Sequence, residues 1–290
     1  MIQKSFISEN KKLYLISTPI GNLKDITYRA IETLNEVDYI FCEDTKKSII
    51  LLQHYNINKK LYSYHDFNKE KQESTILELL KTGNNIAIIS DAGTPGISDP
   101  GYEIIKAAIK ENYDVISIPG ASAILAALII SGLQIQPFTF IGFLPRKQQA
   151  LNETLDYYKD HKETLVFYES PLRVKKLIEK LYETYGNRKI VLARELTKKF
   201  ETITRTTTKE LLDLELDERG EYVIILEGYN DTIPNITIVE HVDLFIKEGL
   251  DEKEALKKVA KIRKISKSEV YKAYKVIAWL LRAFLYNSFE

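Results

Sequence analysis

The chain has 290 residues, of which 44% are hydrophobic and 28% charged, with 41 Lys/Arg balancing 41 Asp/Glu. That length predicts about two domains with ample cores, and the composition excludes a disordered, collagenous or disulfide-stapled chain. One cysteine, Cys42, leaves no intrachain disulfide or multi-cysteine zinc site, and His54, His65, His161 and His241 lack ligand spacing, so no metal is expected.

The first ten residues carry no apolar signal core, and the longest apolar stretch, residues 121–133, is too short to span a bilayer. A cytoplasmic protein with no membrane partner is expected. Leu13–Ser17 reads as a buried strand that ends in Thr18-Pro19-Ile20-Gly21-Asn22. The dinucleotide fingerprint G-x-G-x-x-G and the P-loop are both missing, which disfavours a nicotinamide enzyme. Asp25 is placed to cap a helix whose face is Ile26, Ala30, Ile31 and Leu34. Tyr39–Cys42 predicts a second strand with Cys42 in the core, followed by Glu43-Asp44-Thr45. There Asp44 or Thr45 caps a helix over 46–54, or the carboxylates face a ligand. Leu61–His65 is a third strand, 66–81 a polar helix, and Ile86–Ile89 a fourth strand.

The fourth strand stops abruptly at Ser90-Asp91-Ala92-Gly93-Thr94-Pro95-Gly96-Ile97-Ser98-Asp99-Pro100-Gly101. A helix is predicted next, with Asp99 as cap, Pro100 at its first position and Ile104, Ile105 and Ala108 on its apolar face. A buried strand breaking into such a loop sets backbone N–H groups and the Asp91 carboxylate at a strand's carboxyl end, where open α/β sheets bind ligands. An ordinary strand–helix turn has the same composition. Val115–Ile118 is the fifth strand, and Pro119-Gly120-Ala121-Ser122-Ala123 permits close approach of a ligand or a backbone. Ala121–Ser131 is apolar nearly all round and predicts a buried helix at a domain junction.

A second alternation follows. Strands are predicted over Phe138–Phe143, Thr164–Tyr168, Ile190–Ala193, Thr202–Thr208 and Tyr222–Leu226, and helices over 148–161 and 172–185, the latter closed by Gly186. This is the content of a mixed sheet. Residues 229–238 read as a linker. Beyond it, Asp251-x-x-Glu254 and Ser266-x-x-Glu269 are capping-box patterns that open two helices resembling a helix-turn-helix. Basic charge gathers in this half: residues 172–209 hold eleven Lys/Arg against four Asp/Glu, and 247–282 hold eleven against five. A polyanionic partner and a solvated helix face both account for that surplus. The tail after residue 278, rich in Trp, Leu and Phe, either packs back, pairs with another chain or is foreign to the domain.

Taken together, residues 13–23, Glu-Asp-Thr at 43–45, the loop at 90–101, Pro-Gly-Ala-Ser-Ala at 119–123, Phe-Tyr-Glu-Ser-Pro at 167–171 and Ala-Arg-Glu-Leu-Thr-Lys at 193–198 resemble the tetrapyrrole-methylase-like (class III) superfamily of S-adenosylmethionine methyltransferases. Each motif is weak alone; their order and spacing over residues 13–228 are specific. Within the superfamily the resemblance is to the branch that methylates a ribose 2′-hydroxyl of small-subunit (16S) ribosomal RNA. It implies an α/β domain over 1–120, a second over 121–228, S-adenosylmethionine in the cleft between them, and a small basic helical domain over 229–290. It further implies a homodimer and, as target, a cytidine of the decoding region. Carried over by position, the cofactor-binding residues are Pro19, Ile20 and Gly21 after the first strand, Asp91, Ala92, Gly93 and Thr94 after the fourth, Ala121 and Ser122 after the fifth, and Tyr168 and Ala193 from the second domain.

A ribose hydroxyl is a poor nucleophile, so a proton acceptor should assist it. Among carboxylates at predicted strand ends, Glu169 and Glu195 are the leading candidates. Lys198 is read as lowering the hydroxyl's pKa or holding a phosphate. A structural salt-bridge cluster is the competing account of all three. Arg146, Lys147, Arg173 and Arg194 are candidates for phosphate contacts. Two other functions compete: a tetrapyrrole C-methyltransferase of the same fold, disfavoured by the basic second half and the extra helices, and a non-catalytic RNA-binding or assembly protein.

Overall fold

Continuous apolar runs and period-two alternation become two five-stranded sheets, shown in a computed structural model that describes residues 2–5, 7–230, 236–247 and 249–275. The first sheet contains β1 (Lys12–Ile16), β2 (Tyr39–Cys42), β3 (Leu61–Ser63), β4 (Ile86–Ile89) and β5 (Asp114–Ile118). Its order is β3-β2-β4-β1-β5 and all pairs are parallel. Both faces are covered, which is why β4 is apolar and buried at every position. On one face, Ile16, Ile40 and Ile89 pack against Ala30 and Leu34 of α1 (Tyr28–Glu36) and Leu52 of α2 (Thr45–His54). On the other, Phe41 and Ile88 meet Ile76 and Leu80 of α3 (Lys69–Lys81) and Ile104 and Ala108 of α4 (Tyr102–Lys110).

This winding fixes where a ligand can sit. The chain leaves neighbouring strands β1 and β4 toward α1 on one face and α4 on the other. The two connections diverge and open a crevice at the strands' carboxyl ends, the topological switch point of an open α/β sheet.

The second sheet contains β6 (Phe138–Phe143), β7 (Thr164–Glu169), β8 (Lys189–Arg194), β9 (Thr202–Thr207) and β10 (Tyr222–Leu226), in the order β6-β7-β10-β8-β9. Only β6 and β7 pair in parallel. Phe167, Leu192 and Ile224 face α6 (Gln148–Tyr158), α7 (Pro171–Tyr185) and the short α8 (Thr208–Leu211). The alternate residues Val166, Val191, Val223 and Ile225 face α5 (Ala123–Ile129) and also Ile20 from the first half. That shared cluster joins the sheets, and residues 1–229 accordingly form one unit, with 230–290 as a second.

The second unit holds α9 (Ile238–Lys247), α10 (Glu252–Arg263) and a helical segment over 267–275, packed through Val242, Phe245, Leu256, Val259 and Val270. Asp251 caps α10 by accepting the Glu254 N–H at 2.8 Å, and Ser266 and Glu269 cap each other reciprocally at 2.7 and 3.1 Å. Helix α9 is an addition to the two helices expected here. Its signal was the box Thr237-x-x-Glu240, whose reciprocal bonds measure 2.7 and 3.2 Å. The aromatic tail after residue 278 lies outside the described residues. No described helix is long and apolar enough to cross a membrane.

Three local expectations are corrected. Thr27, not Asp25, caps α1, accepting the Ala30 N–H at 3.2 Å, because residues 23–25 first make a 3-10 turn. Asp99 and Pro100 do not open α4, which begins at Tyr102 with Gly101 as its cap residue. Asp99 instead lines a cavity described below. Helix α5 is shorter than expected and buried on one side only: Ala127 and Leu128 are inside, whereas Leu125 and Ile129 are 53% and 69% exposed.

Phe167 on β7 is fully buried in the core of the second sheet. Phe167→Ala should cost about 3–5 kcal/mol, the range for deleting a core aromatic, read as a lowered urea midpoint.

Candidate active site

The diverging loops after β1 and β4 are tied together across the crevice. The Thr18 N–H donates to the Gly93 carbonyl at 2.8 Å, and the Gly93 N–H returns to the Thr18 carbonyl at 3.1 Å. Ser90 Oγ donates to the same Gly93 carbonyl at 3.0 Å, and the Ser17 and Thr94 hydroxyls are 2.8 Å apart. Gly93 has φ +82°, where a side chain would be strained.

Beside this tie lies a cavity of about 440 Å³, well within the range of small-molecule sites. The first half supplies Ile20, Lys47, residues 91–94 and residues 97–99. The second half supplies residues 122–124, Phe143, residues 168–171, Ala193, Leu196 and residues 220–223. The expected residues Ile20, Asp91, Ala92, Gly93, Thr94, Ser122, Tyr168, Ala193 and Glu169 therefore converge on one cavity. Pro19, Gly21, Ala121, Glu195 and Lys198 are not on its wall.

Those outside it have identifiable places. A Cβ on Gly21 would lie 2.5 Å from Lys198 Cγ and 2.7 Å from Thr197 Oγ1, so Gly21 is where the first half touches the 195–198 turn. The Asn22 N–H donates to Thr197 Oγ1 at 3.0 Å beside it. Ala121 lines a shallow neighbouring depression with Ile20, Ser122 and Thr197. Glu195 and Thr197 have φ of +52° and +65°, left-handed for residues with full side chains. The Glu195 carboxylate packs beneath Gly220, whose Cβ would fall 2.7 Å from its Oε1. Lys198 Nζ lies 2.8 Å from Glu195 Oε1 and 3.1 Å from Glu221 Oε2. Burial works against the charge on Lys198, but those two carboxylates outweigh it and raise its pKa. The pair stands behind the wall, touching the cavity through Glu221.

On the wall, carboxylates outnumber cations. Asp91 Oδ2 pairs with Lys47 at 2.8 Å, and its Oδ1 accepts the Asp44 N–H at 3.0 Å, just ahead of α2. Asp44 itself caps α2, accepting the Lys46 N–H at 2.8 Å. Burial, and then the charge of Asp91, raise the Asp99 pKa. Burial and the same two aspartates raise that of Glu43. Burial pushes the Tyr168 phenol up to about 12, so it stays neutral. The buried Cys42 thiol rises to about 11, which suits a core residue and not a nucleophile.

Glu169 is 2% exposed at the end of β7. Its Oε1 accepts the Ser170 N–H at 2.7 Å at the start of α7. Its Oε2 has no hydrogen-bond donor and lies 3.3 Å from Arg173 Nη2 in an ion pair. The same Arg173 nitrogen donates to the Leu144 and Pro145 carbonyls, both at 3.3 Å. Arg173 is therefore occupied within the chain. Arg194 is also: it pairs with Asp217 at 2.8 Å and donates to the Arg219 carbonyl at 2.8 Å, with its side chain 13% exposed. Arg146 and Lys147 are exposed on the loop after β6 and make no ion pair among the described residues. Among the wall residues not singled out as site residues from sequence are Lys47, Asp99, Phe143 and Glu221. Asp99 alone had a local signal, standing within the Gly/Pro loop as the presumed cap.

A family model for Tetrapyrrole (Corrin/Porphyrin) Methylases matches residues 12–212. The chain belongs to this methylase family. Proteins described as ribosomal RNA small subunit methyltransferase I resemble it along nearly its whole length. The one from Halalkalibacterium halodurans is 44% identical over 94% of this chain and 98% of its own, and that from Bacillus subtilis is 44% identical over 91% and 94%. The one from Haemophilus influenzae is 42% identical over 89% and 94%. Among solved structures, the cobalamin biosynthetic enzyme cobalt precorrin-4 methyltransferase aligns with TM-score 0.57 at 20% identity, covering 74% of this chain and 94% of that one. A diphthine synthase aligns with TM-score 0.58 at 13% identity over 75% and 90%. These two share the fold.

The methyl donor of this methylase is S-adenosylmethionine. The cavity's donor set fits it. Its sulfonium and ammonium are cationic, and Asp91, Asp99, Glu169 and Glu221 face the cavity against one lining cation, Lys47. Ala92, Gly93, Ser122 and Ala193 leave room for backbone contact, and the apolar Ile20, Ile124, Leu196 and Val223 accept a flat ring. The Glu169 Oε2 is a buried acceptor with capacity to spare.

Removing one partner of a mostly buried ion pair is costly, so Arg173→Met should lose about 3 kcal/mol of stability in a urea titration. Asp99 behaves oppositely. The folded state holds its proton more tightly than the unfolded chain does, so the ionised carboxylate lowers stability once the pH passes the ordinary aspartate range. Asp99→Asn should raise the melting temperature at pH 7, have no such effect near pH 3, and weaken S-adenosylmethionine binding in calorimetry.

Proposed function

We propose that the methylase transfers a methyl group to the ribose 2′-oxygen of a cytidine in the decoding region of small-subunit (16S) ribosomal RNA. The observation that carries this reading is similarity along nearly the entire chain, helical unit included, to proteins described as small-subunit ribosomal RNA methyltransferases. The two exposed cations on the loop after β6, Arg146 and Lys147, support it, since they stand next to Phe143 on the cavity wall and suit backbone phosphates. Arg173 and Arg194 are left out of the contact set because their charges are already paired. The reading includes a homodimer, on the family resemblance alone.

When bound, S-adenosylmethionine supplies a methyl group on a positive sulfur, which asks for in-line approach more than for acid–base power. Orientation contributes most: well-placed reactants gain roughly 7–11 kcal/mol over free encounter. The walls from both halves provide that placement, with residues 91–94 on one side and residues 122–124, Tyr168 and Ala193 on the other. Glu169 is the candidate proton acceptor. It is the one of the three expected catalytic groups on the cavity wall, and its Oε2 has an open acceptor position. Glu195 and Lys198 act as positioning residues for Glu221 and the 195–198 turn. The acceptor nucleotide must be unstacked, because a ribose inside a helix cannot be approached in line.

Labelled methyl from S-adenosylmethionine should appear in small subunits that lack the modification, at one alkali-resistant ribose position. Label on a base would overturn the ribose assignment, and label in porphyrinoids but not in RNA would overturn the substrate. Glu169→Gln should lower kcat, measured at saturating S-adenosylmethionine, by about 10²–10⁴-fold, the usual loss of a general base. An unaltered kcat would remove Glu169 from the mechanism.

A further inference from the structure

Strand β6 contains an irregularity that points at the cavity. Its register with β7 runs Phe138 to Thr164, Thr139 to Leu165 and Phe140 to Val166, then shifts so that Gly142 opposes Phe167 and Phe143 opposes Tyr168. One residue, Ile141, is extra, and Gly142 has φ +78°. In an unbroken strand, residues three apart face opposite sides of the sheet. The bulge cancels that alternation: Phe140 and Phe143 both reach the Tyr168 ring, at 5.1 and 5.5 Å between centroids. Phe143 is thereby turned onto the cavity side, where it lines the wall while 60% of it remains exposed. Bulges next to binding sites commonly re-aim a side chain in this way.

Exposed rings occur elsewhere on this chain, but Phe143 stands at a cavity mouth, is backed by a second ring and presents a flat face to whatever enters. Its surroundings say what that is. Arg146 and Lys147 follow within four residues and are exposed, Glu169 lies next to Tyr168 in the wall, and the cavity behind takes the methyl donor. From this arrangement we infer that Phe143 is the stacking platform for the base of the acceptor nucleotide. The base lies against its open face, the ribose is presented inward toward Glu169, and the flanking phosphates meet Arg146 and Lys147. The inference rests on the proposed function, since it requires a nucleotide as acceptor. Stacking is indifferent to base identity, so Phe143 sets affinity and orientation and leaves the choice of base to other contacts.

The test compares Phe143→Ala, Phe143→Leu and Phe143→Tyr in the full-length protein. Melting temperature and S-adenosylmethionine affinity are measured by calorimetry, and methyl transfer to purified small subunits lacking the modification is measured at several subunit concentrations. Phe143→Ala and Phe143→Leu should lower kcat/KM for the subunit about tenfold or more, the loss that one base–aromatic stack carries. S-adenosylmethionine affinity should change less than twofold, and Phe143→Tyr should restore most of the loss. Leucine as active as phenylalanine would reduce the residue to bulk, and a matching fall in S-adenosylmethionine affinity would make it a cofactor wall. Either result overturns the inference, as does unchanged kcat/KM in the alanine variant. Failure of the proposed function looks different: the unsubstituted protein itself would leave the subunits unlabelled.

Discussion

The pair of hydrogen bonds between Thr18 and Gly93 is the constraint on which the site depends. β1 and β4 are neighbours whose connections leave in opposite directions, so nothing in the sheet itself keeps their loops together. The reciprocal N–H to carbonyl bonds close that gap, and the Ser90 and Ser17–Thr94 contacts reinforce it with side chains. A crevice that would gape becomes a wall of fixed geometry. For a reaction limited by alignment more than by proton transfer, a rigid wall is the main catalytic asset the chain can supply.

The second sheet completes the cavity by a different device. Ile20 leaves the first half to join a cluster with Val166, Val191 and Val223, so the turn that follows β1 is also a packing element of the opposite half. Gly21 then permits contact with the 195–198 turn that any side chain would block. The cavity is thus bounded by two sheets held in register by apolar burial at its floor. Its acidic groups, Asp91, Asp99, Glu169 and Glu221, stand with Lys47 around an opening whose base is apolar, where electrostatic interactions are weakly screened.

Much of this was legible in the sequence, and the pattern of what was missed is physical. The strands Tyr39–Cys42, Ile86–Ile89 and Tyr222–Leu226 match the expectation residue for residue, because a buried strand is a contiguous apolar run bounded by breakers, and the half-exposed edge strand Phe138–Phe143 matches through its aromatic and β-branched content. Helix starts were less readable. Asp25 and Asp99 have the right chemistry for caps, yet the chain needed a 3-10 turn before α1 and used Asp99 in the cavity. The near wall of the site was visible because glycine and proline mark loops. The far wall was read only in part: Tyr168, Ala193 and Glu169 were expected there, but Phe143 faces the cavity through a bulge and Glu221 stands just ahead of the antiparallel β10. Lys47 reaches Asp91 from a helix surface forty-four residues away in sequence. Pairing and register are long-range facts that local composition does not encode.

Glu195 and Thr197 hold the left-handed backbone without being glycine or asparagine. Each such residue stores roughly 1–2 kcal/mol of conformational strain. The turn they build is also the one that meets Gly21 and carries Lys198. Accumulated mutation judged on thermal robustness alone would relax this turn, since glycine at either position relieves the strain. It would do so by deleting the side chains that brace Glu221 and Asn22. Thermal hardening and catalytic geometry thus pull this tripeptide in opposite directions, and a variant library ranked by melting point would be enriched in proteins with a loosened cleft.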